Sequence, residues 1–312
     1  DAAFVIRPPL STFEKRKHLL ILDIDETILS STSPIIGLDL WNDSNTYLAG
    51  NMHAVWQYGF QLFYIDMSCP ITSLIRPGFF DFLDYAIQHD FNVILYTRGK
   101  RVYGAHLNQA LPLLYLKWKQ QQAPSLNISE QAILNAHSMI DMVIANDGAG
   151  KTFELINDYV ELNEYDSIFV LDDAKYHVWC MQYAEELSTQ YFLIAPQPFM
   201  IWQTMKSHLR AGHALTKQMY VSWLNRTAAK DDFFKTFTDF LRIYLSPKAA
   251  ESHTRPFWDT RDLLNGFATS DIGQGSINWW QWKSNGKSRR ERHADPYRRL
   301  SGWPLQYPWF WG

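Results

Sequence analysis

Cysteine is almost absent: Cys69 and Cys180 are the only two in 312 residues. Two thiols cannot build a disulfide framework or a zinc cage, so two unpaired thiols in a reducing compartment are expected. Long apolar runs are missing as well. No stretch approaches the ~18 residues that would span a bilayer, and a soluble chain, at most peripheral at a membrane, is the expectation. Charge of one sign is scarce too, with a formal net charge of -3. That total hides an asymmetry, because residues 247 to 312 carry ten Lys and Arg against six Asp and Glu, leaving 19 against 26 in the rest. A mildly acidic body offers no electrostatic footprint for nucleic acid, and no nucleic-acid partner is expected. Asp1 is not an initiator Met, so further residues are expected to precede it.

What is present describes a folded protein. Hydrophobic residues make up 46% and charged residues 20% of the chain, and its length allows one large domain, or one domain with an appendage. Six of the 13 Trp lie between Trp279 and Trp311, so the aromatic excess describes a tail as much as a core.

The most informative stretch is Leu19-Leu20-Ile21-Leu22 running into Asp23-Ile24-Asp25-Glu26-Thr27. An apolar run ending in paired acids reads as a buried parallel strand that delivers carboxylates to a crevice. Residues 31–75 read as a polar and aromatic insertion, with short strands at Gln61 to Ile65 and Ile71 to Ile75 forming a small hairpin flap. Arg76-Pro77-Gly78 opens a helix. Further buried strands are expected at Phe91 to Tyr96 (ending in Thr97), Asp141 to Ala145, Ser167 to Leu171 (ending in Asp172-Asp173) and Tyr191 to Ala195. Helical patterns separate them, from Arg101 to Trp118 and from Ser129 to Met139. Short strands alternating with helices predict an α/β fold, a five-stranded parallel sheet between helices.

From Phe199 to Leu245 the pattern is helical, and Phe233, Phe234, Phe237, Phe240, Leu241 and Tyr244 make one apolar packing stripe. The expected organisation is therefore a catalytic domain over 1–200, a helical appendage over 201–246 and a Trp- and Arg-rich tail over 247–312. The tail has two readings: an aromatic-basic patch over 275–312 for an anionic membrane face, or a segment folded back on the body or left disordered.

Strand ends thus bring together Asp23, Asp25, Thr97, Asp172 and Asp173, with Lys151 from the loop after the third strand. Four acids in one crevice need counter-charge, which a divalent cation plus a lysine supplies. Oxygen-only ligands suit Mg²⁺. A metal, a lysine and a hydroxyl facing a carboxylate form an electrostatic clamp for a phosphoryl group. The run Asp147-Gly148-Ala149-Gly150-Lys151 lacks the full Gly-x4-Gly-Lys-Ser/Thr spacing of a phosphate-binding loop, so its glycines are read as letting the chain turn and present Lys151.

Asp23-Ile24-Asp25-Glu26-Thr27-Ile28-Leu29, Arg76-Pro77-Gly78, Tyr96-Thr97, Lys151 and Val170-Leu171-Asp172-Asp173 resemble the motifs of the haloacid dehalogenase superfamily. The closest likeness is to the branch of RNA polymerase carboxy-terminal-domain phosphatases and their small relatives, over residues 17–200, with a Rossmann-like fold. The resemblance implies Asp23 as nucleophile and Mg²⁺ ligand, and Asp25 as the acid and then base whose backbone carbonyl also ligates the metal. It implies Thr97 and Lys151 on the phosphoryl oxygens, and Asp172 as the third ligand, with Asp173 acting directly or through a water. Arg98 and Gly99 stand after Thr97 where the branch has small residues, so Arg98 either reaches a phosphate or faces solvent. Lys175 and Lys100 are the alternatives to Lys151.

The expected activity is that of a Mg²⁺-dependent phosphoprotein phosphatase acting through an aspartyl-phosphate, as a monomer. Phosphotyrosine is slightly favoured over phosphoserine or phosphothreonine by likeness to divergent bacterial effector-type members, and the expected compartment is a cytoplasm, or a host cytosol if the chain is a secreted effector. The rivals are a small-metabolite phosphatase, a nucleic-acid-end phosphatase and a non-catalytic phosphopeptide-binding scaffold.

Overall fold

Leu19, Leu20, Ile21 and Leu22 are fully buried, as a strand covered on both faces requires. The computed structural model describes residues 4–6, 13–32, 46–49, 52–57, 60–65, 71–173, 187, 189–196, 198–200, 230–245 and 277–283, with scattered positions between 218 and 226. In chain order the strands and α-helices are β1 (Phe4–Ile6), β2 (His18–Leu22), β3 (Leu29–Thr32), β4 (Thr46–Ala49), β5 (Met52–Gln57), β6 (Phe60–Ile65), β7 (Ile71–Ile75), α1 (Phe79–Gln88), β8 (Phe91–Thr97), α2 (Arg101–Gln122), α3 (Glu130–His137), β9 (Met142–Ala145), α4 (Phe153–Asn157), β10 (Ser167–Leu171), β11 (Gln190–Pro196), α5 (Phe233–Tyr244) and β12 (Ile277–Lys283).

The five expected strands form the parallel centre of the main sheet, in the order β9-β8-β2-β10-β11. The sheet is wider than expected, because β1 adds antiparallel to β9 and β12 antiparallel to β11. β12 lies in the Trp-rich tail, and its pairing with Tyr191–Pro196 realises, for residues 277–283, the reading in which the tail folds back on the body. Residues 284–312 lie outside the described residues.

Alternation along the strands sends side chains into two cores. Leu20, Leu22, Val93, Leu95, Phe169 and Phe192 pack with α1, α2 and α5 on one face. Leu19, Ile21, Ile94, Ile144, Ile168 and Tyr191 pack with Phe153 and Ile156 of α4 on the other. The sheet therefore lies between helices, as a parallel sheet must to bury both faces. The predicted stripe from Phe233 to Tyr244 is a packing face: all six residues are buried in the first core, with Phe234 against Phe79 and Phe82. The rest of the helical pattern expected between Phe199 and Phe233 falls largely outside the described residues.

The insertion after β2 is more than a hairpin. β6 and β7 pair as expected, but they belong to a five-stranded antiparallel sheet in the order β3-β7-β6-β5-β4. Polar and turn-forming residues masked the other strands in the sequence. The Gly50-Asn51 pair between β4 and β5 is nevertheless a two-residue hairpin signal that would have located them.

Candidate active site

Register builds the site. β2 lies between β8 and β10, with Leu22 level with Leu95 on one side and Leu171 on the other. Each strand's next residues therefore emerge at the same edge: Asp23 from β2, Thr97 from β8, Asp172 and Asp173 from β10. The Asp23 amide donates to Leu171 O (2.8 Å) and the Asp172 amide to Ile194 O (3.0 Å), which ties both acids to the sheet. Beyond Asp23 the chain folds back at once. The Ile28 amide donates to Ile24 O, the Glu26 amide to Leu29 O, and Glu26 takes a positive φ of 62°. This turn holds Asp25 over the crevice.

Lys151 arrives by a separate route. Residues 97–99 and 146–148 are laced by Asn146 N–H to Thr97 O, Asp147 N–H to Gly99 O and Gly148 N–H to Arg98 O. Asp147 and Gly148 both take positive φ, 44° and 89°, so the chain reverses there as the glycine-rich run suggested. The Asn146 side chain then donates to Gly150 O (2.6 Å), and Tyr96 Oη accepts from the Thr152 amide (3.2 Å). Lys151 is left 2% exposed, with its ammonium donating to Asp23 Oδ1 and to Asp172 Oδ2 (2.7 Å). Lys100 is exposed just ahead of α2, and Lys175 lies outside the described residues.

Thr97 is buried, its hydroxyl accepting from the Gly99 amide (2.9 Å) and bonding the Asp25 carboxyl. A Cβ on Gly99 would lie 2.9 Å from the Tyr103 ring and 3.1 Å from Thr97 Oγ1. Glycine is therefore what lets those two side chains approach at that corner. Arg98 is exposed at the rim and donates to Gly148 O from Nη2 (2.8 Å) and Nε (3.3 Å).

Three contributors had no site role assigned from the sequence, although Thr27 and Arg76 stand in its motifs. The Thr27 hydroxyl spans Asp23 Oδ2 (3.2 Å) and Asp173 Oδ1 (3.3 Å) and accepts from the Asp173 amide (3.1 Å). Tyr103 donates to Asp25 Oδ1 (2.7 Å). Arg76, only 1% exposed, donates to Asp231 (2.9 Å) and to Thr27 O (3.2 Å), with its guanidinium over Phe233 and Phe199. Thr27 sits inside the acidic motif, where a hydroxyl four residues after Asp23 was the available signal. Tyr103 and Asp231 carry no such mark.

The electrostatics follow from one buried lysine facing too many acids. Burial pushes Asp23 up to about 7, opposed by Lys151 and reinforced by Asp172 and Asp25. Asp25 is raised by burial against the donors Tyr103 and Thr97 and the charge of Lys151. Burial raises Asp173 well above the ordinary carboxylate range, with Asp23, Asp172 and Glu26 adding to it. Burial works against the charge on Lys151, but Asp172 and Asp23 outweigh it and hold the ammonium protonated. Surplus negative charge is what remains.

That surplus fits a cation. Asp23, Asp172 and Asp173 each offer a carboxylate oxygen, all within 4.8 Å of one another. An all-oxygen, all-anionic donor set suits a hard divalent ion.

A parallel α/β sheet presenting a buried acid cluster, a lysine and a hydroxyl at its carboxyl edge defines an enzyme built for an anionic, phosphoryl-bearing group. Residues 18–114 match the family model described as NLI interacting factor-like phosphatase. That segment is similar to the phosphatase domains of the haloacid dehalogenase type, in the polymerase-tail phosphatase branch, a family of phosphoric monoester hydrolases. No curated protein matches the chain. The matched segment holds Asp23, Asp25, Thr97, Arg98 and Tyr103. Lys151, Asp172 and Asp173 lie beyond it and rest on the geometry above. Among the described residues no helix is long and apolar enough to cross a membrane.

Proposed function

We propose that this chain is a Mg²⁺-dependent phosphoprotein phosphatase working through an aspartyl-phosphate on Asp23. The observation that carries the reading is the Asp23 carboxylate, clamped by Lys151 on Oδ1 and Thr27 on Oδ2 at the mouth of a parallel sheet. A carboxylate fixed on both oxygens is oriented for in-line attack and loses little freedom in reaching the transition state.

In the first step an Asp23 oxygen bonds to phosphorus and the bond from phosphorus to the substrate oxygen breaks. The Asp25 carboxyl gives its proton to that leaving oxygen. Lys151 and the Thr97 hydroxyl meet the charge on the phosphoryl oxygens. In the second step the Asp25 carboxylate takes a proton from water, the water oxygen bonds to phosphorus, and the bond from phosphorus to Asp23 breaks. Phosphate leaves and both carboxyl groups return to their starting states. Mg²⁺, held by Asp23, Asp172 and Asp173 with the Asp25 carbonyl, would neutralise phosphoryl charge and orient the ester.

A phosphorylated side chain is the proposed substrate, with phosphotyrosine ahead of phosphoserine and phosphothreonine on the family resemblance. Turnover on a phosphopeptide panel, beside sugar phosphates and nucleotides and with and without Mg²⁺, tests this. Metal-dependent release from phosphotyrosine peptides with negligible turnover of metabolites supports it. Preference for a sugar phosphate or nucleotide by an order of magnitude in kcat/KM would remove the protein-substrate reading.

A further inference from the structure

Asp25 has a harder positional problem than Asp23. It lies past the end of β2, in a turn, and no strand fixes its side chain. A carboxyl that must deliver a proton to one oxygen and later take one from water has to be held by its neighbours. The neighbour doing so from the helical side is Tyr103, in the first turn of α2, whose hydroxyl donates to Asp25 Oδ1 at 2.7 Å. The tyrosine is 7% exposed.

The hydroxyl also belongs to a longer chain. Ser31 Oγ lies 3.3 Å from Tyr103 Oη and 2.8 Å from Ser73 Oγ. Ser31 of β3 and Ser73 of β7 are register partners in the antiparallel sheet. The directions are fixed by counting protons. Asp25 Oδ1 accepts from Tyr103 in the carboxylate and equally in a carboxyl whose proton sits on Oδ2, so Tyr103 has spent its single proton and must accept from Ser31. Ser31 has then spent its own and accepts from Ser73. Bonds aligned head to tail in a buried setting polarise one another in the same sense.

We infer that Tyr103 is the positioning residue for the acid-base carboxyl, anchored through Ser31 and Ser73 to the antiparallel sheet inserted after β2. This rests on the proposed role of Asp25. The insertion then has a task of its own: it sets the orientation of the proton donor. Gly99 belongs to the same device, because any side chain there would push the Tyr103 ring off its place.

The test is steady-state kinetics of the full chain with Mg²⁺ on aryl phosphates that run from good to poor leaving groups. A mispositioned proton donor costs most where the leaving oxygen most needs the proton. Tyr103→Phe should lower kcat on every ester, by about threefold for a nitrophenolate and by roughly thirtyfold for an unsubstituted phenolate. Ser31→Ala, which keeps the phenol and breaks only the anchor, should tilt the series in the same sense by a smaller factor. It also preserves the test if Tyr103→Phe fails to fold. A uniform loss across the series in the folded variant would overturn the inference, since general damage does not read the leaving group. Asp25→Asn run alongside separates the two levels. If its losses too are independent of the leaving group, the role of Asp25 has failed; if only Tyr103→Phe and Ser31→Ala lack the dependence, the positioning role alone has failed.

Discussion

Among the described residues two cations are buried almost completely, Arg76 at 1% and Lys151 at 2% exposure, and they are treated oppositely. Among the described residues Arg76 pairs with the carboxylate of Asp231, and a backbone carbonyl and two aromatic rings also meet its guanidinium. Charge there is balanced, so the group holds structure together: the turn after β2, through Thr27 O, is tied to the start of α5. Lys151 faces Asp23 and Asp172 directly, with Asp25 and Asp173 close behind. Charge there is unbalanced, and burial among like charges raises Asp23, Asp25 and Asp173 above the usual carboxylate range. A buried ion pair is weak grounds for inferring a function, but a buried cation outnumbered by acids marks a place meant to receive something positive, or to hold something negative beside it.

The contrast breaks most visibly through activity. Lys151→Met should reduce turnover by roughly 10² to 10³, the scale of losing one preorganised charge at a transition state. It should cost less stability than the corresponding change at Arg76, because the acids left behind can take up protons or a cation in its place. Parallel turnover and chemical-denaturation measurements decide this, and a Lys151→Met protein with wild-type kcat would dissolve the distinction.

Arg76→Met should act the other way, costing about 3 kcal/mol because it leaves the half-buried Asp231 carboxylate without its cation and Thr27 O without that donor. Turnover per folded molecule should fall far less than for Lys151→Met. The readout is the denaturation midpoint together with kcat corrected for the folded fraction.

Next in size comes the pH response. Asp23 is raised from the usual carboxylate range to about 7, and Asp25 and Asp173 are raised as well. For a carboxyl so raised, the metal-free native state binds the proton more tightly than the unfolded chain. Its contribution to stability is complete below about pH 4 and disappears as pH climbs through the folded value near 7. A divalent cation removes that loss by binding the ionised acids. The gain in Tm on adding Mg²⁺ should therefore grow between about pH 5 and pH 8. A gain that is flat or shrinking over that range would mean the acids are not the metal's ligands.

The smallest effect belongs to the rim. Arg101 pairs with Asp147 at 3.0 Å, but both side chains are about half exposed. Arg101→Ala should shift stability by less than about 0.5 kcal/mol.

The sequence exposed the frame of this molecule and concealed its fastenings. Buried parallel strands are nearly continuous apolar runs, so β2, β8, β9, β10 and β11 could be read directly, and with them the strand-end acids and Thr97. Lys151 could be named because a glycine-rich turn precedes it. By contrast Tyr103 reaches Asp25 across 78 residues, Thr27 reaches Asp173 across 146 and Arg76 reaches Asp231 across 155. Partners so far apart leave no periodic trace in either segment, and only the assembled sheet brings them together. The antiparallel sheet was half legible for a different reason: β6 and β7 are apolar enough to read, whereas β4 has only four residues and β5 carries His53 and Gln57.

The central claim is that Asp23 is a nucleophile and not merely a ligand. Rapid quenching of the full chain during turnover of an aryl phosphate, followed by mass mapping, tests it directly. One phosphoryl group on Asp23, released by hydroxylamine as an acyl phosphate and absent from Asp23→Asn together with all turnover, is the predicted result. An Asp23→Asn protein that still hydrolyses the ester at the wild-type rate would contradict it.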